Sequence, residues 1–204
     1  MRKLTALFVG LFLFSLGILL TIHANLGAAP WDAFHLGIVK HTGLNLGRVS
    51  QLVGIFLLVL CILLKEKPGW GTLANIYFIG FFIDLIEGTG YLPHFDNFWL
   101  QLAMLLTGIL SIGWGTALYI SVGWGSGPRD GLMLGLTRLL SIQLWQARTG
   151  IEGTVCLLGY FLGGPIGFGT IVTASLLGPS VQLAFSILRL ISKRSQVQPL
   201  EQGE

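Results

Sequence analysis

Residues 98–120 run for 23 positions without one charged side chain, and residues 4–22 do the same for 19. At about 1.5 Å of rise per residue, such a run forms a helix of about 30 Å, the thickness of a bilayer's hydrocarbon core. Four more apolar runs occur, at 49–64, 71–87, 149–163 and 170–191. Only 10% of the 204 residues are charged and 53% are hydrophobic, whereas soluble domains carry about a quarter charged residues. A soluble core of this size has no room for so much apolar surface. The chain therefore reads as an all-α polytopic membrane protein with six transmembrane helices.

The first run follows Arg2 and Lys3 and precedes Ala24, as a signal peptide would. A run of the same kind, 103–120, lies inside the chain, so the first reads as part of the architecture. With six spans and a cytoplasmic N-terminus, the inner face holds ten basic residues: Arg2, Lys3, Lys65, Lys67, Arg129, Arg138, Arg148, Arg189, Lys193 and Arg194. The outer face holds only Lys40 and Arg48. That bias matches the positive-inside rule and implies a bacterial inner-membrane protein with both termini in the cytoplasm. Because the basic residues are scattered over helix ends, the net charge of +3 does not point to nucleic acid. Residues 193–204 read as a polar cytoplasmic tail.

Two short segments interrupt this pattern. "LGAAPWDAF" begins at Leu26 and "WGSGPRDGL" at Trp124, and both contain Gly-x-x-Pro-x-Asp. The helices they open, 30–41 and 129–141, are about 18 Å long, too short to cross a bilayer. A shift of 98 residues superposes them, and it also places Gly10 on Gly108, Gly17 on Gly115, Gly27 on Gly125 and Gly80 on Gly178. "GWGT" at Gly69 falls on "GFGT" at Gly167, with Asn75 on Thr173. Proline and aspartate are scarce here, so their joint match implies internal duplication. Arg48 meets Arg148 only if two residues are inserted. Three spans per copy is an odd number, which predicts two repeats of opposite topology, residues 1–95 and 96–192, each with one half-helix. Ligand sites of inverted-repeat transporters lie between the repeats, at broken helices.

The repeated phrase has a physical logic. Proline suits the first helical position, where no amide partner is lost, and aspartate two residues on sits at the positive end of the helix dipole. If both segments dip into the bilayer, their N-termini meet at depth, and free amides there bind anions. The candidate solute site is thus Gly27, Pro30 and Asp32 from one repeat, and Gly125, Ser126, Gly127, Pro128, Arg129 and Asp130 from the other. Alternatively Asp32 and Asp130 cap their own helices at the membrane surface, or bind a proton or sodium ion. Arg148 and Glu152, spaced i, i+4 on one helix face, join the site as an anion clamp and its orienting partner; the plainer reading is an interfacial salt bridge.

Other residues read structurally first. Asp84 and Glu87 mark either an exposed helix end or an entrance. Thr72 and Thr170 follow Gly-aromatic-Gly and read as helix caps before ligand contacts. Tryptophans such as Trp31, Trp99 and Trp145 read as interfacial anchors, and "GYFLG" at Gly159–Gly163 as a helix-packing pattern. Cys61 and Cys156 read as small apolar filler. His35 and His41 do not share a helix face, so no metal site is expected. No cofactor motif or nucleophile–base constellation appears, and an enzyme is not the expectation.

Three stretches, "GSGPRDGL" from Gly125, "RTGIE" from Arg148, and "LGGPIGFGT" with "LLGP" from Leu162 and Leu176, resemble the YczE/YitT-type family of bacterial integral membrane proteins over about residues 5–190. That resemblance implies a polytopic inner-membrane protein and supplies no site residues. The first repeat departs from it, with Ala28-Ala29 in place of Ser126-Gly127. The residues themselves lead to a transporter of a small anionic or zwitterionic metabolite, with the lipid bilayer and a small-molecule solute as partners. A channel of similar build, or a non-transporting accessory subunit, are the alternatives, and assembly into a homo-oligomer stays open.

Overall fold

The apolar runs and the two short segments become eight helices in a computed structural model that describes residues 2–197. They are α1 (Arg2–His23), α2 (Pro30–Thr42), α3 (Leu46–Leu63), α4 (Trp70–Glu87), α5 (Phe98–Ser121), α6 (Pro128–Leu140), α7 (Leu144–Phe161) and α8 (Phe168–Val197). Among the described residues there is no strand, and five helices are long and apolar enough to cross a membrane: α1, α3, α4, α5 and α8. The expected sixth, α7, starts five residues earlier than 149 and has 18 residues, like α3. Gln146, Arg148 and Glu152 make it too polar to join the five. The expected polar tail is helical in its first five residues, since α8 continues to Val197, and 198–204 lie outside the described residues.

The 98-residue register extends to the helix starts. α2 and α6 begin at 30 and 128, α3 and α7 at 46 and 144, α4 and α8 at 70 and 168. No two-residue insertion is present, which corrects the pairing of Arg48 with Arg148. In the constant register Arg48 corresponds to Gln146, and Arg148 to Ser50. Two arginines near matching helix starts had suggested a correspondence that the helix lengths do not contain.

Glycine sets the most extensive helix contact. α1 and α5 run antiparallel, with Gly10 against Gly115 and Gly17 against Gly108. A Cβ on Gly17 would lie 2.6 Å from the Gly108 carbonyl oxygen, and one on Gly115 would lie 2.6 Å from the Phe14 amide. Without a hydrophobic force between helices in lipid, backbones associate best where small residues let them touch. Between these contacts the Ser111 hydroxyl donates to the Leu13 carbonyl at 2.8 Å. Leu13 and Ser111 are themselves 98 apart, so this hydrogen bond joins two positions that match in the offset.

Each short helix packs against the opposite half: α2 along α7, and α6 along α3. Gly159 of α7 lies against the backbone of Phe34, and Gly135 of α6 against Leu64. Gly163, at φ 72°, ends α7 rather than packing it. The loops ahead of the short helices are tied down in matching ways. The Thr72 hydroxyl donates to the Ser126 carbonyl at 2.7 Å, and the Thr170 hydroxyl to the Ala28 carbonyl at 2.7 Å. The Gly71 amide donates to Trp124 O at 2.7 Å, and the Gly169 amide to Leu26 O at 2.6 Å. Both threonine hydroxyls also accept from the amide three residues earlier, as caps do. Thr72 and Thr170 therefore cap one helix and anchor a loop at once.

The halves differ at one interface. α3 lies tightly on α4, where Gly47 touches the Gly80 backbone and Gly54 meets Ile76. There the Asp84 carboxylate accepts from the Gly47 amide at 2.8 Å, and Gln51 donates to Tyr77 O at 2.9 Å. Asp84 thus caps α3 rather than lining an entrance, while Glu87 pairs with His23 at 3.0 Å. Between α7 and α8 no such seam exists. A Cβ on Gly150, Gly153 or Gly178 would meet nothing within 4 Å. The register explains it: Trp145 stands where α3 has Gly47, and Glu152 where it has Gly54.

This packing predicts opposite outcomes for two similar substitutions. Gly17→Val overfills the α1–α5 contact and costs about 1–3 kcal/mol or more, whereas Gly178→Val is close to neutral. Thermal unfolding of both variants in detergent checks this, and equal melting temperatures would defeat the glycine-contact account.

Candidate functional site

Trp31 and Arg129 are the second residues of α2 and α6, and they too are 98 apart. The Arg129 guanidinium stacks over the Trp31 ring, 4.8 Å from its centroid. The two short-helix N-termini therefore meet each other. Trp31 is buried there at 7% exposure and is no interfacial anchor, unlike Trp99 and Trp145, which are exposed. A buried cation over an indole face contributes about 2 kcal/mol, so the stack holds the two N-termini together as well as placing the charge.

Around this contact lies a chamber of about 200 Å³. α6 supplies Gly127, Pro128, Arg129 and Asp130, and α7 supplies Arg148 and Glu152. A small adjoining space of about 40 Å³ shares Trp31, Arg129, Arg148 and Glu152 with it and adds Pro30, Asp32 and Thr173. Arg148 Nε donates to Glu152 Oε1 at 2.9 Å, as the i, i+4 spacing implies. The Tyr119 hydroxyl lies 3.5 Å from Asp130 Oδ2 and accepts from the Gly127 amide at 3.2 Å. Arg129 sits in the field of Asp32, Asp130 and Glu152, and Asp130 in that of Arg148. Two guanidinium groups and three carboxyl groups thus line the chamber and the space beside it.

Eight of the eleven residues singled out in the sequence come together here. The other three do not line the chamber. Gly27 and Gly125 hold φ of 108° and 117° in the loops ahead of α2 and α6, where only glycine is unstrained. A Cβ on Gly27 would also strike the Gly167 backbone. Ser126 offers its carbonyl to Thr72. These positions aim the short helices.

Sequence reasoning missed three contributors. Tyr119 lies in α5, one apolar-run aromatic among many, and only its distance to Asp130 distinguishes it. His35 is 2% exposed, and its Nε2 has no hydrogen-bond partner. Asn75 lines the chamber from α4, while its counterpart Thr173, fully buried with an unpartnered hydroxyl, lines the smaller space from α8. Their match in the repeat was the available signal. Asp32 Oδ1 is also buried without a partner, because Thr21 occupies the place that Tyr119 holds opposite Asp130. Thr21 turns its hydroxyl to Ile18 O instead. Polar groups buried without partners are rare in folded proteins, and a chamber wall is a place where a ligand or water satisfies them.

Charges in a membrane protein's interior are costly, and they gather where a solute or ion passes. One of the relatives is named as a membrane protein. The chain is 38% identical to the uncharacterised membrane protein YczE of Bacillus subtilis (strain 168), over 176 residues, 85% of this chain and 81% of the relative. It is 35% identical to an uncharacterised protein of Haemophilus influenzae, covering 88% and 84% of the two. To the uncharacterised protein YyaS of Bacillus subtilis it is 34% identical, covering 83% and 86%. No solved structure matches. A family model described as a family of unknown function, DUF6198, matches residues 1–186. This is a membrane protein with several apolar helices, and its chain belongs to the DUF6198 family.

Proposed function

We propose that the protein is a transporter that binds a small zwitterionic or anionic solute in the charged chamber between two inverted repeats, residues 1–95 and 96–192. The observation that carries this reading is the meeting of two short-helix N-termini around two arginines and three acids. A merely structural ion-pair cluster would have paired its members, yet Asp32 Oδ1, His35 Nε2 and Thr173 Oγ1 are buried without partners beside it. The three carboxyl groups favour a solute that also carries a donor, an amine or a hydroxyl, over a simple anion. No covalent chemistry is assigned to the chamber.

The inverted arrangement rests on the antiparallel contact of α1 with α5 and on the loop hydrogen bonds that recur at a 98-residue offset. α7 serves as the sixth span in this reading, its polar face turned to the chamber. The lysine and arginine bias then puts both termini in the cytoplasm of a bacterial inner membrane. Exchange follows from rocking the halves, as in other inverted-repeat carriers, and the unequal interfaces assign the motion. The glycine seam holds α3 on α4, while α7, carrying Arg148 and Glu152, stands clear of α8 and is free to move.

Two measurements check this. In proteoliposomes screened with amino acids and small hydroxy acids, uptake saturates with concentration, and Arg148→Ala weakens it about thirtyfold, the loss of about 2 kcal/mol from one charge-assisted hydrogen bond. Uptake that never saturates makes the protein a channel. An Arg148 variant with full activity, alongside an inactive Gly159→Leu, moves the accessory-subunit reading ahead. In a protein lacking Cys61 and Cys156, a cysteine at Gly150 reacts with a maleimide at a rate that solute changes at least severalfold. A rate indifferent to every transported solute removes α7 as the moving part.

A further inference from the structure

The chamber does not end at its charged residues. Trp31, Val53 and Leu57 also form the edge of a second cavity, about 700 Å³, which lies between α3 and α7 over α2 and α6. Its walls are Leu60 and Phe56 on one side, Ile151, Val155 and Leu158 on the other, with Leu136 beneath. Only Gln146 and Thr154 among its lining side chains are polar. The volume lies in the range of about 300–1,000 Å³ typical of whole ligand sites. A charged enclosure and an apolar cleft thus share one wall.

Resting on the transport reading, we propose that the solute is an amphiphile: a single-chain lipid whose zwitterionic head sits among Arg148, Glu152 and Asp32, with its hydrocarbon tail along the α3–α7 cleft. A fully polar solute leaves the larger cavity unfilled, and a plain hydrocarbon leaves the charged chamber unused. One molecule with both parts satisfies both walls. The junction is built for the transition between them. Trp31 presents an apolar ring to the cleft and carries Arg129 on its face. Its buried Nε1 has no partner, and so offers a donor where head gives way to tail. The unpartnered Nε2 of His35 and Oδ1 of Asp32 lie on the head side. A head bearing both an acidic group and an amine meets the guanidinium groups with the first and Asp32 with the second.

The halves are unequal in a way that suits this occupant. In the constant register the cleft's walls α3 and α7 are equivalent helices, yet only α7 lines the chamber with charge; Ser50 and Gly54 hold the α3 positions that match Arg148 and Glu152. The head is therefore held from one side, leaving the tail to lie along the apolar α3 wall.

The test uses lysophosphatidylethanolamine with a diazirine in its acyl chain, incorporated into liposomes that contain the full protein. Illumination is expected to label Val53, Leu57, Leu60 and Leu136. Unlabelled lysophosphatidylethanolamine suppresses this labelling, and Arg148→Ala lowers it at least fivefold. Val53→Trp, which fills the junction without touching a charged residue, lowers it comparably, and it serves if the arginine variant is poorly folded. A photoactive fatty alcohol without the head labels the cleft weakly. Equal labelling by the headless chain, undiminished in Arg148→Ala and Val53→Trp, identifies ordinary boundary lipid and overturns the proposal. An unlabelled cleft combined with saturable uptake of a polar solute overturns it too, while leaving the transport reading standing. An unlabelled cleft with copies cross-linked through Leu60 makes the cleft a contact between subunits, and the proposal fails.

Discussion

A guanidinium group and a carboxyl group inside a membrane protein need an enclosure, and the rest of this chain can be understood as the means of building one. Arg129 is held by the Trp31 ring and by the field of three acids. Neither residue reaches that place unless both short helices bring their N-termini to the centre. That convergence depends on two loops being fixed, which is the work of Thr72 and Thr170 on carbonyls of the opposite segment. The loops in turn depend on α1 and α5 touching backbone to backbone through four glycines. A side chain at Gly17 or Gly115 would push the two halves apart and open the enclosure to lipid.

Much of this order was legible in the sequence, and what was legible had a periodicity. Membrane helices declare themselves through long apolar runs, and the short helices through a proline-aspartate phrase at a fixed offset. The offset also named Thr72 with Thr170 and Asn75 with Thr173 before any contact was known. Six of the eleven proposed site residues line the chamber, and Pro30 and Asp32 line the smaller space beside it. Contacts between distant segments were not legible. Tyr119 is one aromatic in a 24-residue apolar helix, and nothing local says that it meets Asp130. Trp31 resembled an interfacial anchor because tryptophan near a helix end usually is one; that Arg129 covers it follows only from the crossing of the two halves. The suggested insertion before Arg148 failed for a related reason. Matching residue types carried more weight than matching helix starts, and the starts are the firmer guide.

The unequal halves are the more informative departure from symmetry. The 98-residue offset sets two interfaces in correspondence, α3 with α4 and α7 with α8. Here one keeps glycine at the points of closest approach, and the other carries Trp145 and Glu152 at the matching positions. A glutamate cannot lie in a backbone-to-backbone seam, so placing Glu152 at the chamber is incompatible with a glycine seam against α8. The ion pair with Arg148, at 2.9 Å, then orients the acid toward the chamber.

Glu152 thus links the chamber's charge to the open α7–α8 interface: one position supplies the acid and lacks the glycine that seals α3 on α4. α7 remains tied to the body through α2, where Gly159 meets the Phe34 backbone, and through α6, and Ala147 near its start is buried as well. The end that bears Arg148 has no matching partner on α8, and Gly150 and Gly153 beside it face open space. In the proposed transport cycle α7 therefore has room to shift on its α8 side, whereas α3 is sealed on α4 along its glycine seam.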